Sequence, residues 1–284
     1  MHSRLTSPET PMHVVRHLMV FLLLPLVAAC AHRVQIASSD VLLLGETHDN
    51  GDGHRLRADA LRERIAAGWR PAIAMEQFDR EQQPALDAAL RNCTDADCVV
   101  KRLAPGKSGW NWAFYKPVIA LAMEYKLPVL AANLSRADAG KVIKDGFAAA
   151  LDTGEIARYR LDKPLPAAVL SAQVEEVRTG HCGMLPKAML EPMARAQIAR
   201  DVVMAETLRP HAPRGAVLIA GNGHVRRDIA VPYWLNAQGL QTRSVGYVEQ
   251  AGTSREYDAE RRIPVIRRPD PCAELGKKMR GKTG

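Results

Sequence analysis

Two segments of the chain follow one plan: Val41-Leu42-Leu43-Leu44-Gly45-Glu46-Thr47-His48 and Val217-Leu218-Ile219-Ala220-Gly221-Asn222-Gly223-His224. In each segment a short apolar run ends at a glycine, and a histidine follows within three residues. Such runs are typical of strands that are buried on both faces of a parallel sheet. Side chains just beyond these strands lie at the carboxyl edge of the sheet, where ligands bind in open α/β folds. The two histidines therefore predict a functional site at that edge.

Further apolar runs alternate with helical patterns along the chain. We expect strands at 72–76, 128–133, 216–220 and 243–248, and helices at 54–68, 113–126 and 188–208. Strands separated by such helices indicate βαβ units. The interval 135–209 shows only helical periodicity, and it is too long for an ordinary connection between two strands of a sheet. The predicted fold is α/β, with a mostly parallel sheet, helices on both faces and an inserted small helical subdomain.

The amino-terminal segment reads as a targeting sequence. An apolar run at 18–27 follows His13 and Arg16, and it is too short for a permanent transmembrane helix. It ends in a stretch that resembles a bacterial lipobox, which implies cleavage before Cys30 and lipid, such as palmitate, on that cysteine. An ordinary secretory signal with a chance cysteine is the alternative. Because Ala31 follows, the usual sorting rule favours an anchor in the outer membrane, facing the periplasm.

The expected organisation therefore has four parts. They are a lipoprotein signal peptide at 1–29, a sheet domain at 30–134 and 210–260, the helical subdomain at 135–209, and a basic, proline-containing tail at 261–284. The tail carries eight Lys and Arg residues against Asp270 and Glu274, so it accounts for most of the net charge of +8. We expect it to be extended and loosely ordered. Nucleic-acid binding is a poor interpretation for an exported protein.

Four cysteines remain beside Cys30. An even number in an oxidising compartment indicates disulfides. Cys93 and Cys98 are separated by only four residues, so a local bridge is easy, and Cys182 with Cys272 is then the remaining pair. Metal binding by these thiols is the weaker alternative, because no second pair has a metal-binding spacing.

Four consecutive predicted strands end in residues that can move protons or bind ligands. Glu46 and His48 follow the first strand, Glu76 the second, Asn133 the third, and Asn222 with His224 the fourth. A carboxylate beside an imidazole can activate water as a general base. Two histidines and a glutamate can also hold a catalytic divalent metal. A hydrolase, either an esterase or a metal-dependent peptidase-like enzyme, is therefore one hypothesis.

Six motifs in this order resemble a known family. They are Gly45-Glu46-Thr47-His48, Met75-Glu76-Gln77, Trp110 to Pro117, His181 to Pro186, Gln197 to Asp201, and Gly221-Asn222-Gly223-His224. Together with the lipobox they are similar to the ChaN-type, cofacial haem-binding lipoproteins, within the erythromycin-esterase-like superfamily. That resemblance covers nearly the whole mature chain. It implies a homodimer that forms on haem binding and encloses two stacked haems. In that family each iron takes one tyrosine, and a histidine and a lysine of the other subunit hold the propionates.

The resemblance leaves the ligands to be assigned. We expect Tyr159 as the axial ligand, because Arg158, Arg160 and Lys163 beside it in sequence would lower its pKa, and Tyr115 is the second choice. His181 and Lys163 are the expected propionate-binding residues. Glu46, His48, Glu76, Asn222 and His224 are expected to line the pocket, or to be catalytic in the hydrolase hypothesis. We expect no metal beyond the haem iron, and a protein of haem or iron acquisition, with enzymatic activity less favoured.

Overall fold

The computed structural model describes residues 40–104, 109–250 and 256–280. The signal peptide and Cys30 lie outside them. The strands within these residues are β1 (Val41–Leu44), β2 (Ala72–Asp79), β3 (Val129–Asn133), β4 (Ala216–Ile219), β5 (Thr242–Val248) and β6 (Ala259–Arg262). The α-helices are α1 (Gly51–Ala66), α2 (Gln83–Asn92), α3 (Ala96–Leu103), α4 (Lys116–Glu124), α5 (Arg136–Asp145), α6 (Thr153–Arg158), α7 (Ala167–Gly180), α8 (Lys187–Leu208), α9 (Val231–Asn236) and α10 (Pro271–Arg280). None of these helices is both long and apolar enough to cross a membrane.

The six strands form one sheet in the order β3-β2-β4-β1-β5-β6. Every neighbouring pair in it is parallel. The two segments with matching sequence lie side by side, because β1 and β4 pair in register and Leu43 lies opposite Leu218. The predicted α/β class with a parallel sheet is therefore confirmed.

Alternate residues of the strands supply two cores, one on each face of the sheet. Val41 and Leu43 pack on one face with α5 to α9, whereas Leu42 and Leu44 pack on the other face with α1 to α4. This period of two is the geometry of a strand. Because both faces are covered, these strands carry apolar residues at consecutive positions. The polar residues that directly follow these strands are consequently held at the carboxyl edge of the sheet.

The long interval between β3 and β4 consists of α5 to α8. In α8 the buried residues include Ile198, Val202 and Met204, and they share one apolar core with Leu43 and Leu218 of the sheet. The helical insertion is thus continuous with the sheet through its packing. The residue boundaries of the predicted domains stay a prediction.

Both expected disulfides are present. Cys93 is bonded to Cys98, and Cys182 is bonded to Cys272. The second bridge joins the turn after α7 to the start of α10 across 90 residues of sequence. It therefore fixes the carboxy-terminal segment to the helical layer.

The expectation of a loosely ordered tail is wrong for its described part. Arg261 and Arg262 belong to β6, and Ile263 is buried. Beyond them Arg268 forms ion pairs with Asp49 and Glu249. Tertiary contacts, which composition does not reveal, override the polar and proline-rich sequence in this segment.

Candidate functional site

The predicted strand-end residues meet at the carboxyl edge of the sheet. The backbone N–H of Gly221 donates to Glu76 Oε2 at 2.8 Å, and the N–H of Asn222 donates to the carbonyl of Glu46 at 2.9 Å. These bonds connect the ends of β1, β2 and β4. A Cβ at Gly221 would lie 3.0 Å from His48 Cε1, so a side chain there would displace the His48 ring.

Glu46 is the buried anchor of this edge. Its carboxylate pairs with Arg57, which is completely buried, and it accepts hydrogen bonds from Tyr115 Oη at 2.5 Å and His48 Nδ1 at 2.8 Å. Burial alone would raise the pKa of Glu46, but Arg57 and the hydrogen-bond donors outweigh burial and lower the pKa to about 2. Glu46 is therefore a permanent anion that orients its neighbours.

His48 is the exposed member of the Glu46 cluster. About half of its side chain (53%) is exposed, and its ring lies edge-on to Trp110 with centroids 5.0 Å apart. Burial opposes its charged form, but the hydrogen bond to Glu46 and the nearby Glu76 carboxylate raise its pKa. Because Nδ1 is held by Glu46, Nε2 is the nitrogen that remains for a ligand.

A second acid–histidine pair lies beside the first. His224 Nδ1 is 2.6 Å from Asp201 Oδ1, and Asp201 also accepts a hydrogen bond from Gln173 Nε2 at 3.1 Å. His224 Nε2 lies 3.6 Å from Glu76 Oε1. Burial would lower the pKa of His224, but Glu76 and Asp201 raise it to about 9. Burial raises the pKa of Asp201 to about 6 despite His224. The pair therefore shares a proton over the neutral range of pH.

Asn222 lines the cavity at this edge and also has a structural role. Its amide group donates to the carbonyl of Tyr247 at 2.7 Å and accepts from the Tyr247 N–H at 3.0 Å. These two hydrogen bonds link the turn after β4 to strand β5. Asn133 is similarly occupied, since it donates to Asp79 and accepts from Arg200.

Two adjoining cavities open at this edge. One, of about 640 Å³, is lined by Glu46, His48 and Arg268, and the other, of about 220 Å³, is lined by His181 and Asp201; both contact Gly223 and His224. We call this joined space the strand-end groove. A separate cavity of about 680 Å³ beside Cys93 has no histidine or tyrosine in its wall. Among the described residues no group of three or more His, Cys, Asp or Glu side chains is placed to hold a metal ion.

The structure separates the residues that were expected to bind haem. His181 lies in the strand-end groove. Tyr159 instead donates to Glu206 near the end of α8, and the carbonyl of Arg158 accepts from Gln238, which precedes β5. Both contacts lie at the amino edge of the sheet. Lys163 and His181 flank opposite ends of the 14-residue α7, about 21 Å long. The two residues therefore lie near opposite ends of one helix, and their assignment to the propionates stays a prediction.

The expected lowering of the Tyr159 pKa is also wrong. The side chain is 4% exposed, and burial together with the Glu206 carboxylate raises its pKa, outweighing Arg209 and Arg158. Neighbours in sequence project from different faces of a helical turn, so Arg160 and Lys163 do not decide the environment of the hydroxyl. Tyr115 is fully buried, and burial and Glu46 raise its pKa as well.

Three residues in or next to the groove were not anticipated from the sequence. His54 and Arg57 lie on the buried face of α1, where they reach Glu46, and Arg268 comes from the tail. The spacing of His54, Arg57, Ala58, Leu61 and Ile65 follows the apolar stripe of the helix. The presence of His54 and Arg57 on an otherwise apolar stripe is the feature of the sequence that could have revealed their role.

Comparison with known proteins identifies relatives. The model of a family described as haem-binding uptake, Tiki superfamily, ChaN matches residues 34–235. A structure of cofacial haem binding to ChaN of Campylobacter jejuni has a TM-score of 0.62 and 21% identity, covering 78% of this chain and 86% of that chain. A mutant of the erythromycin esterase EreC in its open conformation has a TM-score of 0.44 and 13% identity. The match covers 78% of this chain and 75% of that chain. No curated protein matches the chain.

Proposed function

Because the chain belongs to the ChaN family of haem-binding uptake proteins, we propose that it binds haem and takes part in haem or iron acquisition. It holds haem and hands it on, and does not transform it. The observation that carries the proposal is the strand-end groove, which gathers imidazoles and a guanidinium at the edge of the sheet where α/β folds bind ligands.

The side chains of the groove suit a porphyrin. Haem iron takes nitrogen or oxygen ligands, and its propionates are anions that favour cationic partners. His48 and His181 each hold Nδ1 against an acceptor, which leaves Nε2 facing away from that bond. Arg268 also lines the groove, where its guanidinium pairs with Asp49 and Glu249. Gly221 and Gly223 keep the floor free of side chains.

We propose further that haem is bound between two copies of the chain. The support is the family resemblance, together with a groove that is open on one side. Met184 and Met189, each 38% exposed, lie beside the His181 turn and give that rim an apolar surface. Light scattering during size-exclusion chromatography should show a change from monomer to dimer on adding hemin. A mass that stays at the monomer value with hemin bound would refute the dimer.

The lipid anchor is likewise a proposal, which rests on the sequence around Cys30. We propose that Cys30 is lipidated and that the protein is anchored in the outer membrane, facing the periplasm. Metabolic labelling with palmitate should mark the wild-type protein and not Cys30→Ser. Equal labelling of both would contradict the anchor.

The haem proposal is tested by titrating the purified protein with hemin. We expect a saturable Soret change, with one hemin bound per chain. The matched comparison is His48→Ala with His181→Ala against His211→Ala, since His211 lies in the turn before β4 at the amino edge. Only the groove variant should lose affinity. Equal affinity in both variants would place haem elsewhere.

A hydrolase is the second candidate, and the two acid–histidine pairs favour it. Glu46 orients His48 and Asp201 orients His224, so the groove holds two imidazoles that can move protons. Hydrolysis of aryl esters should then be detectable and should fall at least about 100-fold in Glu76→Gln and in His224→Ala. Unchanged background hydrolysis in these variants would remove this candidate.

A further inference from the structure

Two arginines lie close together at the amino edge of the sheet, the end opposite the strand-end groove. Arg243 is the second residue of β5, and Arg64 lies in the last turn of α1. Arg243 shares its strand face with Val245 and Tyr247, which pack in one core with Leu61 of α1. Burial and the nearby charge of Arg243 lower the pKa of Arg64, so the two guanidiniums repel each other.

Each arginine also keeps a buried nitrogen without a partner. Nη1 of Arg64 and Nε of Arg243 have no hydrogen-bond acceptor among the residues that the structure describes, and neither side chain forms an ion pair with those residues. Acidic groups at this end of the sheet are engaged elsewhere, since Asp40 accepts a backbone N–H and Glu124 pairs with Arg62. Donors without an acceptor cost free energy, and the like charges add repulsion. Because both side chains are partly exposed, an anion from solvent can reach the pair and relieve both costs.

An aromatic ring fixes the orientation of Arg64. The central guanidinium carbon lies 5.1 Å from the centre of the Trp69 ring, which is a cation–π distance. Trp69 in turn lies against Gly215, where a Cβ would be 2.5 Å from the indole Nε1. Gly215 also has a φ of 91°, which glycine adopts readily. The indole holds the guanidinium in place and carries no charge, so the positive charge of the pair stays available to a ligand.

We infer that Arg64 and Arg243 together bind an oxyanion of the phosphate class at the amino edge of the sheet. A guanidinium presents its N–H donors as a planar fork that matches two oxygens of a phosphate. Two forks supply two positive charges, which suits a phosphate group with its charge of about −1.5 to −2 and its three acceptor oxygens. The inference does not depend on the proposed haem binding, because the strand-end groove lies at the opposite edge.

The phosphate group can come from solution or from the headgroup of a membrane lipid. The course of the chain points to the second source, because β1 begins at this edge with Val41, and Cys30 lies 11 positions before it. A segment of that length spans at most about 40 Å, so the proposed lipid on Cys30 would limit how far this edge can lie from a membrane. The exposed Arg70 and Arg214, which precede β2 and β4, add cationic surface at the same edge.

The test is calorimetric titration and thermal unfolding of the purified protein with inorganic phosphate, against chloride and acetate at equal ionic strength. The matched control for Arg64→Gln and Arg243→Gln is Arg62→Gln, an exposed arginine of the same helix that pairs with Glu124. Phosphate should bind wild type and Arg62→Gln saturably and raise their melting temperatures. Arg64→Gln and Arg243→Gln should each lose at least about tenfold in phosphate affinity. In chloride these two variants should melt no lower than wild type, because each removes an unpaired charge, and this separates loss of the site from loss of the fold.

Sedimentation with lipid vesicles separates the two sources of phosphate, with Cys30→Ser in every protein so that no attached lipid contributes. If the source is a headgroup, wild type and Arg62→Gln should sediment with phosphatidylcholine vesicles that contain phosphatidic acid, and not with phosphatidylcholine alone. Arg64→Gln and Arg243→Gln should sediment less. Equal sedimentation of all four proteins, together with phosphate binding that depends on the pair, would assign the site to free phosphate.

Three results would overturn the inference. They are the absence of saturable phosphate binding by wild type, equal phosphate affinity in wild type and both pair variants, and equal affinity of wild type for acetate and phosphate. Arg64→Gln and Arg243→Gln should bind hemin as wild type does, because the pair lies away from the strand-end groove. Failure of the phosphate site therefore leaves the proposed haem binding standing, and failure of haem binding leaves the phosphate site standing.

Discussion

The substitution Glu46→Gln tests whether an ionised, buried carboxylate organises the strand-end groove. Glutamine keeps the size of the side chain but removes its charge. In the structure Arg57 is completely buried against Glu46, so glutamine would leave the guanidinium without its counter-charge. Removing one partner of a buried ion pair is destabilising because the other charge stays buried.

The magnitude follows from the pKa of Glu46. Folding lowers it from an ordinary value of 4.5 to about 2. Each tenfold change in proton affinity is worth about 1.4 kcal/mol, so the ionised form contributes about 3 kcal/mol to stability. Because the folded pKa is the lower one, this contribution is complete above pH 4.5 and is lost as the pH falls through 2. Glu46→Gln should therefore cost about 3 kcal/mol at pH 7 and almost nothing at pH 2.

Urea unfolding followed by circular dichroism, between pH 2 and pH 7, measures this difference. The matched control is Glu124→Gln, because Glu124 pairs with Arg62 at the surface and both side chains are about half exposed. That variant should differ from wild type by less than about 1 kcal/mol at every pH. A Glu46→Gln curve that runs parallel to the wild-type curve would refute the role of the charge.

Three further predictions follow from individual contacts. Replacing Cys182 and Cys272 by serine opens a loop of 90 residues, whereas replacing Cys93 and Cys98 opens one of 5. The chain-entropy model predicts that the free energy of unfolding falls by about 4–5 kcal/mol in the first variant and by about 2 kcal/mol in the second. Equal melting temperatures of the two variants would contradict this prediction. Tyr115→Phe removes a buried hydrogen bond to Glu46 and should cost about 1–3 kcal/mol in urea unfolding, whereas no loss would show that the hydroxyl is dispensable. In Asp201→Asn the pKa of His224, followed by NMR titration, should fall below about 9, because one of the two carboxylates that raise it is removed; an unmoved pKa would mean that Glu76 alone sets it.

The central strands were predictable because burial on both faces leaves an uninterrupted apolar run. Strand β6 was not, since Ala259-Glu260-Arg261-Arg262 pairs on one side only and is partly exposed. The start of α1 was placed three residues late, because Gly51-Asp52-Gly53 reads as a turn. The structure shows that Asn50 caps the helix there, with its side chain accepting from Gly53 N at 3.1 Å.

The site was predictable in its position but not in its electrostatics. Glu46, His48, Glu76 and His224 follow strands, so topology brings them together. The environment of a titratable group depends on residues that arrive from elsewhere in the chain. Glu206 reaches Tyr159 from 47 positions away, and Arg57 reaches Glu46 from the next helix. The sequence shows which charged residues are close to a given residue along the chain. Only the folded structure shows which charged residues are close to it in space.

The measurement that bears most directly on the proposed function is the stoichiometry of hemin binding to the purified wild-type protein. Absorbance titration should reach a sharp end point at one hemin per chain, and the His48→Ala, His181→Ala double variant should bind hemin more weakly. A linear, unsaturable rise in absorbance, the same in wild type and in a His48→Ala, His181→Ala double variant, would contradict a haem site in the strand-end groove.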